Sequence, residues 1–437
     1  MSDPLTREVA DTIGAQATGR TLPRALTPFR SPSYRKLALA LVLQTFASGV
    51  WLVALVWEVI RIDGGPGQLS LVSTAAAIGI VLPALLGGVV ADRVPQKSIL
   101  LVVATIEFAG MTLVAVLSLL DVTAFWHLAV VSFVSGIGMA FYYPAYSAWL
   151  PAMIPEEDLM AVNGFEGMVR PTVGEAIGPG IAGVVVGIFS PATAFTVAAA
   201  ASLLGVLALS VVPKTPVRRD LDALADGHPV ASAVRDMAEG FRYMVRTPWL
   251  LATLLFASLM VLVMMGPLEV LVPFLIKDKL GGGPEHHAMV MAAFGIGGAV
   301  GSFVMASRPM PRRYLTVMNL MWGLGCLPFA LMGVTTHIWV VVVCGFVLGA
   351  IFAAPMVIWG TLLQRRVPAD LLGRIASLDF FVSVSLMPIS MALAGPFSDA
   401  VGLRTTFLVA GLAPGVFAVV AILLWRLPQD ELRNPLS

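Results

Sequence analysis

Six ionisable side chains lie deep inside long apolar runs of this 437-residue chain: Glu107, Glu166, Arg170, Glu175, Glu269 and Asp379. A charge held in hydrocarbon costs at least about 2.5–3.5 kcal/mol on insertion scales, so such a residue is a functional candidate by default. For a carboxylate, burial makes the neutral, protonated form competitive with the charged one, and the chemistry on offer is proton uptake and release. Glu107, Glu166, Glu175 and Glu269 are the proton-coupling candidates. Arg170 is the buried charge partner, four residues after Glu166 in the order that favours a helix ion pair. It is expected to meet Glu166 or to reach across to Glu107, either pinning helix register or taking part in coupling. Glu175 is nine residues beyond Glu166, which at 100° per residue places it on the opposite face. Glu269 stands alone after Gly266-Pro267-Leu268, where a proline can expose backbone to a cavity; the alternative is a glutamate snorkelling to the interface. Glu58, near the end of the first apolar run, is expected to meet water or headgroups.

Softer residues supply pocket candidates. Phe141, Tyr142 and Tyr146 surround Pro144, beside Tyr143, and Met260 and Met264 follow in a later run. Methionine packs adaptably against varied apolar ligands, although the same residues also suit a lipid face or a core. His286 and His287 are adjacent, so they point apart on a helix and no metal site is expected. No convergent His/Asp/Ser set and no G-x-x-x-x-G-K-[ST] occurs, which argues against an enzyme or an ATP motor and implies no cofactor.

These residues need a membrane to position them. Hydrophobic residues make up 58% of the chain and charged ones 12%, with mean hydropathy +0.89. That excludes an ordinary soluble domain and disorder. The net charge of +1 leaves no basic field for nucleic acid. Cys326 and Cys344 sit in apolar runs, so no disulfide framework is expected. Runs long enough to span a bilayer as helices cover 36–60, 68–91, 98–119, 124–148, 159–188, 192–212, 249–275, 287–306, 314–333, 337–363, 373–397 and 404–425. They are continuous, unlike the alternating segments of an outer-membrane barrel, and the polar first 35 residues show no cleavable signal peptide. With the N-terminus inside, 22 of the 27 basic residues fall on the cytoplasmic side, four outside, and Arg170 within a span. The positive-inside rule therefore predicts both termini in the cytoplasm.

The expected organisation is a tail (1–35), a six-helix half (36–212), a cytoplasmic linker (213–248), a second six-helix half (249–425) and a short tail (426–437). Val230, Val234, Met237, Phe241, Met244 and Val245 recur at helical spacing in 230–246, predicting an amphipathic helix on the inner membrane surface. The halves resemble each other weakly: GMAFYYP (138–144) matches GAIFAAP (349–355), and IPEEDL (154–159) matches VPADLL (367–372). A duplicated six-helix unit with a central site is one transporter design.

The loop GGVVADRVPQKS (87–98) carries Gly88, Asp92, Arg93 and Lys97 in an arrangement that resembles the major facilitator signature, with Pro95 and Gln96 departing from it. The resemblance implies a cytoplasmic latch made by these four residues. Asp379, about one and a half turns into span eleven, is expected to join that latch in preference to touching substrate. Gly174, Gly178, Pro179 and Gly183 in span five resemble the antiporter signature of the same superfamily, which implies exchange of substrate for protons; their bland reading is small-residue packing. The segments FRSPSYRKLAL, GFRYMVRTPWL and QRRVPADLLGRIASL are similar to the bacterial branch with the enterobactin exporter, macrolide efflux proteins and Tap-type multidrug pumps.

The fold expected is therefore an all-α membrane protein with twelve transmembrane helices in two pseudo-repeats, in a bacterial cytoplasmic membrane. The function expected is proton-coupled export of amphiphilic small molecules by a monomer, its partners being substrate, protons and the bilayer. A nutrient importer of the same fold is the first alternative, and a non-transporting sensor or assembly partner the second.

Overall fold

The structure, a computed structural model, describes residues 24–84, 90, 94–155, 158–213, 229–368 and 371–436. Among the described residues it is helical, without strands. A short 3-10 turn, Arg24–Arg30, precedes α1 (Pro32–Arg61), α2 (Pro66–Val81), α3 (Gln96–Leu119), α4 (Phe125–Met153), α5 (159–188) and α6 (Pro191–Ser210). Then follow α7 (Pro229–Arg246), α8 (Pro248–Lys279), α9 (Pro284–Ala306), α10 (Tyr314–Val334), α11 (Ile338–Arg366), α12 (372–401), α13 (Leu403–Leu424) and α14 (Leu427–Arg433). Eleven of these, α1, α3 to α6 and α8 to α13, are long and apolar enough to cross a membrane. The run expected over 68–91 appears as the 16-residue α2; residues 85–89 lie outside the described residues.

Local chemistry sets the boundaries. Pro32, Pro66, Pro191, Pro248 and Pro284 each open a helix, where their missing N–H costs nothing. The hydroxyls of Ser31 and Ser190 accept from the N–H groups of Tyr34 and Thr193, capping α1 and α6. Many large apolar side chains, Leu113, Leu204, Phe303, Val343 and Leu412 among them, are exposed, which suits hydrocarbon and not water.

The helices run alternately between two ends: a near end, where α1 begins and α13 finishes, and a far end holding Arg61, Pro66, Lys279 and Pro284. Packing of α1–α6 against α8–α13 is concentrated from mid-depth to the far end, along α5 against α9 and α2 against α12. There the Gly395 N–H donates to Ser70 Oγ at 2.9 Å. A Cβ on Gly395 would stand 2.8 Å from Gly67 Cα. The core repeats this asymmetry. Far-end residues of the first six helices, including Val53, Val59, Leu69 and Val186, join one continuous cluster with the last six. Their near-end residues, including Tyr34, Leu41, Leu100 and Trp149, form a cluster of their own.

Three peripheral features complete the frame. Glu58 does not meet solvent: its side chain is 0% exposed, and Arg61 one turn on bonds both carboxylate oxygens, at 2.8 and 2.9 Å. Arg61 also reaches Asp121 at 2.6 Å, tying α1 to the end of α3. The helix expected over 230–246 is present as α7, which lies against α12 through Gly240 and an ion pair of Glu239 with Arg374 at 2.7 Å. Of its expected apolar face, Met244 is buried while Phe241 and Val245 are exposed. Finally, α14 turns back so that the buried Glu431 accepts from Leu315 N, Thr316 N and Thr316 Oγ1 at 2.9, 3.1 and 2.7 Å, capping α10 where the helix dipole favours an anion.

Candidate functional site: carboxylates at the crossing of the helices

α5 is not a uniform α-helix. It runs as α over Leu159–Val169, as π over Arg170–Ile177 and as α again over Gly178–Ile188. Pro171 removes one backbone donor, and the Gly178 N–H bonds to Val173 O five residues back. α8 does the same at Pro267–Leu271 and Leu275–Lys279, around Pro267 and Pro273. Such π turns recur at functional sites. Here Glu175 sits in the first and Glu269 in the second.

Glu166 and Glu175 face different neighbours. The Tyr146 hydroxyl on α4 donates to Glu166 Oε1 at 2.8 Å. Tyr146 stacks on Tyr142 with centroids 5.8 Å apart, and the buried Tyr34 hydroxyl, without a hydrogen-bond partner, lies within electrostatic range of Glu166. The expected ion pair of Arg170 with Glu166 or Glu107 is not formed. Arg170 instead lies over the exposed ring of Tyr143, 5.1 Å from its centroid, an attraction between cation and ring quadrupole that leaves Glu166 to the tyrosine. Glu107 is buried on α3 beside Tyr142. Glu175 faces α9, where a Cβ on Gly295 would stand 2.8 Å from Glu175 Cβ and 2.8 Å from Pro171 O. Glu269, half-buried on α8, lies within electrostatic range of Glu175 across the crossing.

The glycine-proline motif of α5 is a packing device with two faces. Gly174, Gly178 and Pro179 receive α1: a Cβ on Gly49 would overlap Gly174 O and stand 2.9 Å from Pro179 Cδ. Gly183 turns the other way and meets Ala288 of α9. Of the latch residues, Gly88, Asp92 and Arg93 lie outside the described residues. Lys97 donates to Ser210 O and Val212 O at 2.6 and 2.5 Å, and Lys36 to Val211 O, so two cations cover the carbonyl end of α6. Asp379 is held within the last six helices, accepting from Trp359 Nε1 at 2.8 Å and from Ser383 Oγ at 3.2 Å.

The pocket candidates divide. Phe141 and Tyr142 are half-buried, Tyr146 is buried against Glu166, and Tyr143 is the exposed aromatic of this group. Met260 and Met264 do not face open space; both are core residues, and Met264 lines a cavity of about 10 Å³, room for one water, with Trp322, Phe329 and Phe352. Sequence reasoning passed over the Trp359–Asp379 bond. The signal was present in the IPEEDL and VPADLL match, which sets Asp379 at the place of Glu166.

Spanning helices in two sets, crossing through glycines with carboxylates at the crossing, define a membrane transporter of the major facilitator type. The nucleoside transporter NupG shares the fold, with TM-score 0.67 and 15% identity over 91% of this chain and 100% of that one. A bacterial homologue of the human lysosomal transporter Spinster, solved inward-facing and unoccupied, does so with TM-score 0.67 and 14% identity over 94% and 99%. This chain belongs to the transmembrane secretion effector family of that superfamily, whose sequence model matches residues 23–436. It is similar to the multidrug efflux pump Tap of Mycolicibacterium fortuitum, 28% identical over 401 residues that cover 89% of this chain and 94% of that protein. It is also similar to macrolide efflux protein A of Streptococcus pyogenes, 24% identical over 382 residues covering 84% and 90%. It is thus a multi-pass membrane protein of a bacterial transporter family.

Proposed function

We propose that this protein exports amphiphilic or hydrophobic small molecules, such as drugs, antibiotics or a siderophore, across the bacterial cytoplasmic membrane in exchange for protons. The efflux reading is carried by similarity to two proteins named for efflux along 84–89% of the chain. With both termini cytoplasmic, the packed far end faces outside and the separate near-end cores face inside, as in a transporter poised to load from the cytoplasm. Rocking of the halves 36–212 and 249–425 about α5–α9 and α2–α12 exchanges the open end. Proton coupling draws its support from Glu269 and Glu175 at the crossing and from Glu166 and Glu107 on the first half. A carboxylate that protonates from outside loses its charge, crosses the cycle neutral, and releases the proton inside as substrate loads. The protein works as a monomer, without metal, cofactor or nucleic acid.

The test is the purified protein in proteoliposomes, with a macrolide as probe and a pH-sensitive dye in the lumen. Macrolide movement is expected to drive protons the opposite way, and Glu→Gln at 269, 166 and 107 together abolishes the coupling. Transport without a pH change, or intact transport in the triple variant, overturns the reading. Susceptibility of expressing and deleted strains to a panel of toxic compounds separates drug efflux from siderophore export or import.

A further inference from the structure

The loop after α4 and the loop after α11 match as IPEEDL and VPADLL, so Ile154 corresponds to Val367. Counted from those anchors, at the shift that also aligns the whole of Phe125–Met153 with Ile338–Arg366 and so replaces the GMAFYYP–GAIFAAP register, which is two residues shorter, Tyr146 falls on Trp359, Glu166 on Asp379 and Arg170 on Ser383. Three independent geometric facts agree with this register. Glu166 and Asp379 each stand seven residues into their helix segments, which begin at Leu159 and Leu372, about two turns deep. Each carboxylate accepts from an aromatic donor on the preceding spanning helix, Tyr146 Oη or Trp359 Nε1, and both bonds measure 2.8 Å. Both donors are buried, at 2% and 5% exposure. The residue one turn further on is where the copies differ. Ser383 donates to Asp379, whereas Arg170 lies over Tyr143.

We propose that Glu166 and Asp379 are one proton-binding site present twice, once in each half, so that the transporter carries a titrating carboxylate at Asp379 in addition to Glu107, Glu166, Glu175 and Glu269. This deepens the proton-coupled reading above and rests on it for its role in transport. The donor held by each carboxylate is neutral, so each site can accept a proton without parting an ion pair. The charged and titratable neighbours are few. Around Glu166 they are Tyr142 and Tyr146 on α4, Tyr34 on α1, Arg170 on α5, Glu107 beyond Tyr142, and Arg30 exposed on the 3-10 turn. Around Asp379, α8 brings no titratable group between Pro248 and Gly266. From α7 come Glu239, paired with Arg374 of α12, Tyr243, which donates to Arg366 O, and Arg242 and Arg246. On α11, besides Trp359, Arg366 is paired with Asp430 and Arg365 donates to Leu436 O. Because Arg170 stands beside one site and Ser383 beside the other, the two protonate at different pH.

The test needs protons alone as the probe: infrared pH-difference spectra of the full-length protein in lipid, following carboxyl bands. Glu166→Gln and Asp379→Asn should each remove one band and leave the other. Arg170→Ser, which gives the first site the neighbour of the second, should move the Glu166 midpoint toward that of Asp379 by about 1–3 pH units, the range of one nearby charge. Tyr146→Phe and Trp359→Phe, milder changes, should each move only their own band. An unchanged spectrum in Asp379→Asn, or a Trp359→Phe spectrum identical to the parent, overturns the proposal. These spectra need no substrate, so a failure here is distinct from a failure of proton-coupled export, which the proteoliposome flux decides.

Discussion

Gly183 on α5 and Ala288 on α9 approach so closely that a Cβ on the glycine would overlap the alanine methyl carbon. A valine at 183 therefore cannot be accommodated with the far end closed. Overpacking of this kind costs about 1–3 kcal/mol, which shifts a two-state equilibrium by roughly one to two powers of ten. In Gly183→Val, a cysteine placed at Thr74, whose hydroxyl is buried one turn below Ser70, should react about tenfold or more faster with an impermeant thiol reagent applied from the far side.

The pair of Glu58 with Arg61 makes a stability prediction. Arg61→Ala leaves a fully buried carboxylate without its counter-ion, a change that costs about 3–5 kcal/mol when the partner is wholly desolvated. The Arg61 side chain is 31% exposed, so the lower end applies. Replacing both residues by leucine should lose less than Arg61→Ala alone. Thermal unfolding of the solubilised protein measures both, and no loss in Arg61→Ala would show the pair to be energetically idle.

Limits of the apolar runs were legible residue by residue, since α1, α3, α9 and α13 begin and end within a few residues of where hydropathy and proline place them. The partners of the charges were not. Spacing put Arg170 one turn from Glu166, yet a hydrogen bond from Tyr146 and the ring of Tyr143, both from α4, decide where those side chains point. Glu58 was misplaced for a related reason: nearness to the end of a span says nothing about which side of the helix faces α3. The π turns of α5 and α8 were foreshadowed only by Pro171, Pro267 and Pro273. The π turn of α5 lies where Gly174 and Gly178 pack on Gly49 of α1, a contact that no local pattern reveals.

Glu431 offers a second stability test. Glu431→Ala strands two backbone N–H groups at the start of α10, at a cost of about 1–3 kcal/mol each in a buried setting. The first turn of α10 should fray, and tryptic cleavage after Arg313 should accelerate roughly tenfold or more, with Glu431→Gln intermediate. An unchanged cleavage rate would show that α14 does not hold α10.

A contrasting outcome is expected where α7 meets α12. The Glu239 side chain is 57% exposed in its pair with Arg374, and exposed pairs contribute about 0–1 kcal/mol. Glu239→Ala should leave the unfolding temperature within a degree or two. A larger loss would mean that the linker helix is held by this pair and not by Gly240 and Met244.

The far-end closure is built from Gly67, Gly183, Gly395, Ala288 and one hydrogen bond from a backbone N–H. Among the described residues no ion pair bridges the two sets of helices there. Around these residues Leu69 and Val186 are packed in the shared core, and a Cβ on Gly187 would stand 3.5 Å from Glu285 Oε2 of α9, so parting this face also unpacks apolar side chains and moves one carboxylate. With no bridging ion pair to break there among the described residues, the opening step should depend only weakly on ionic strength.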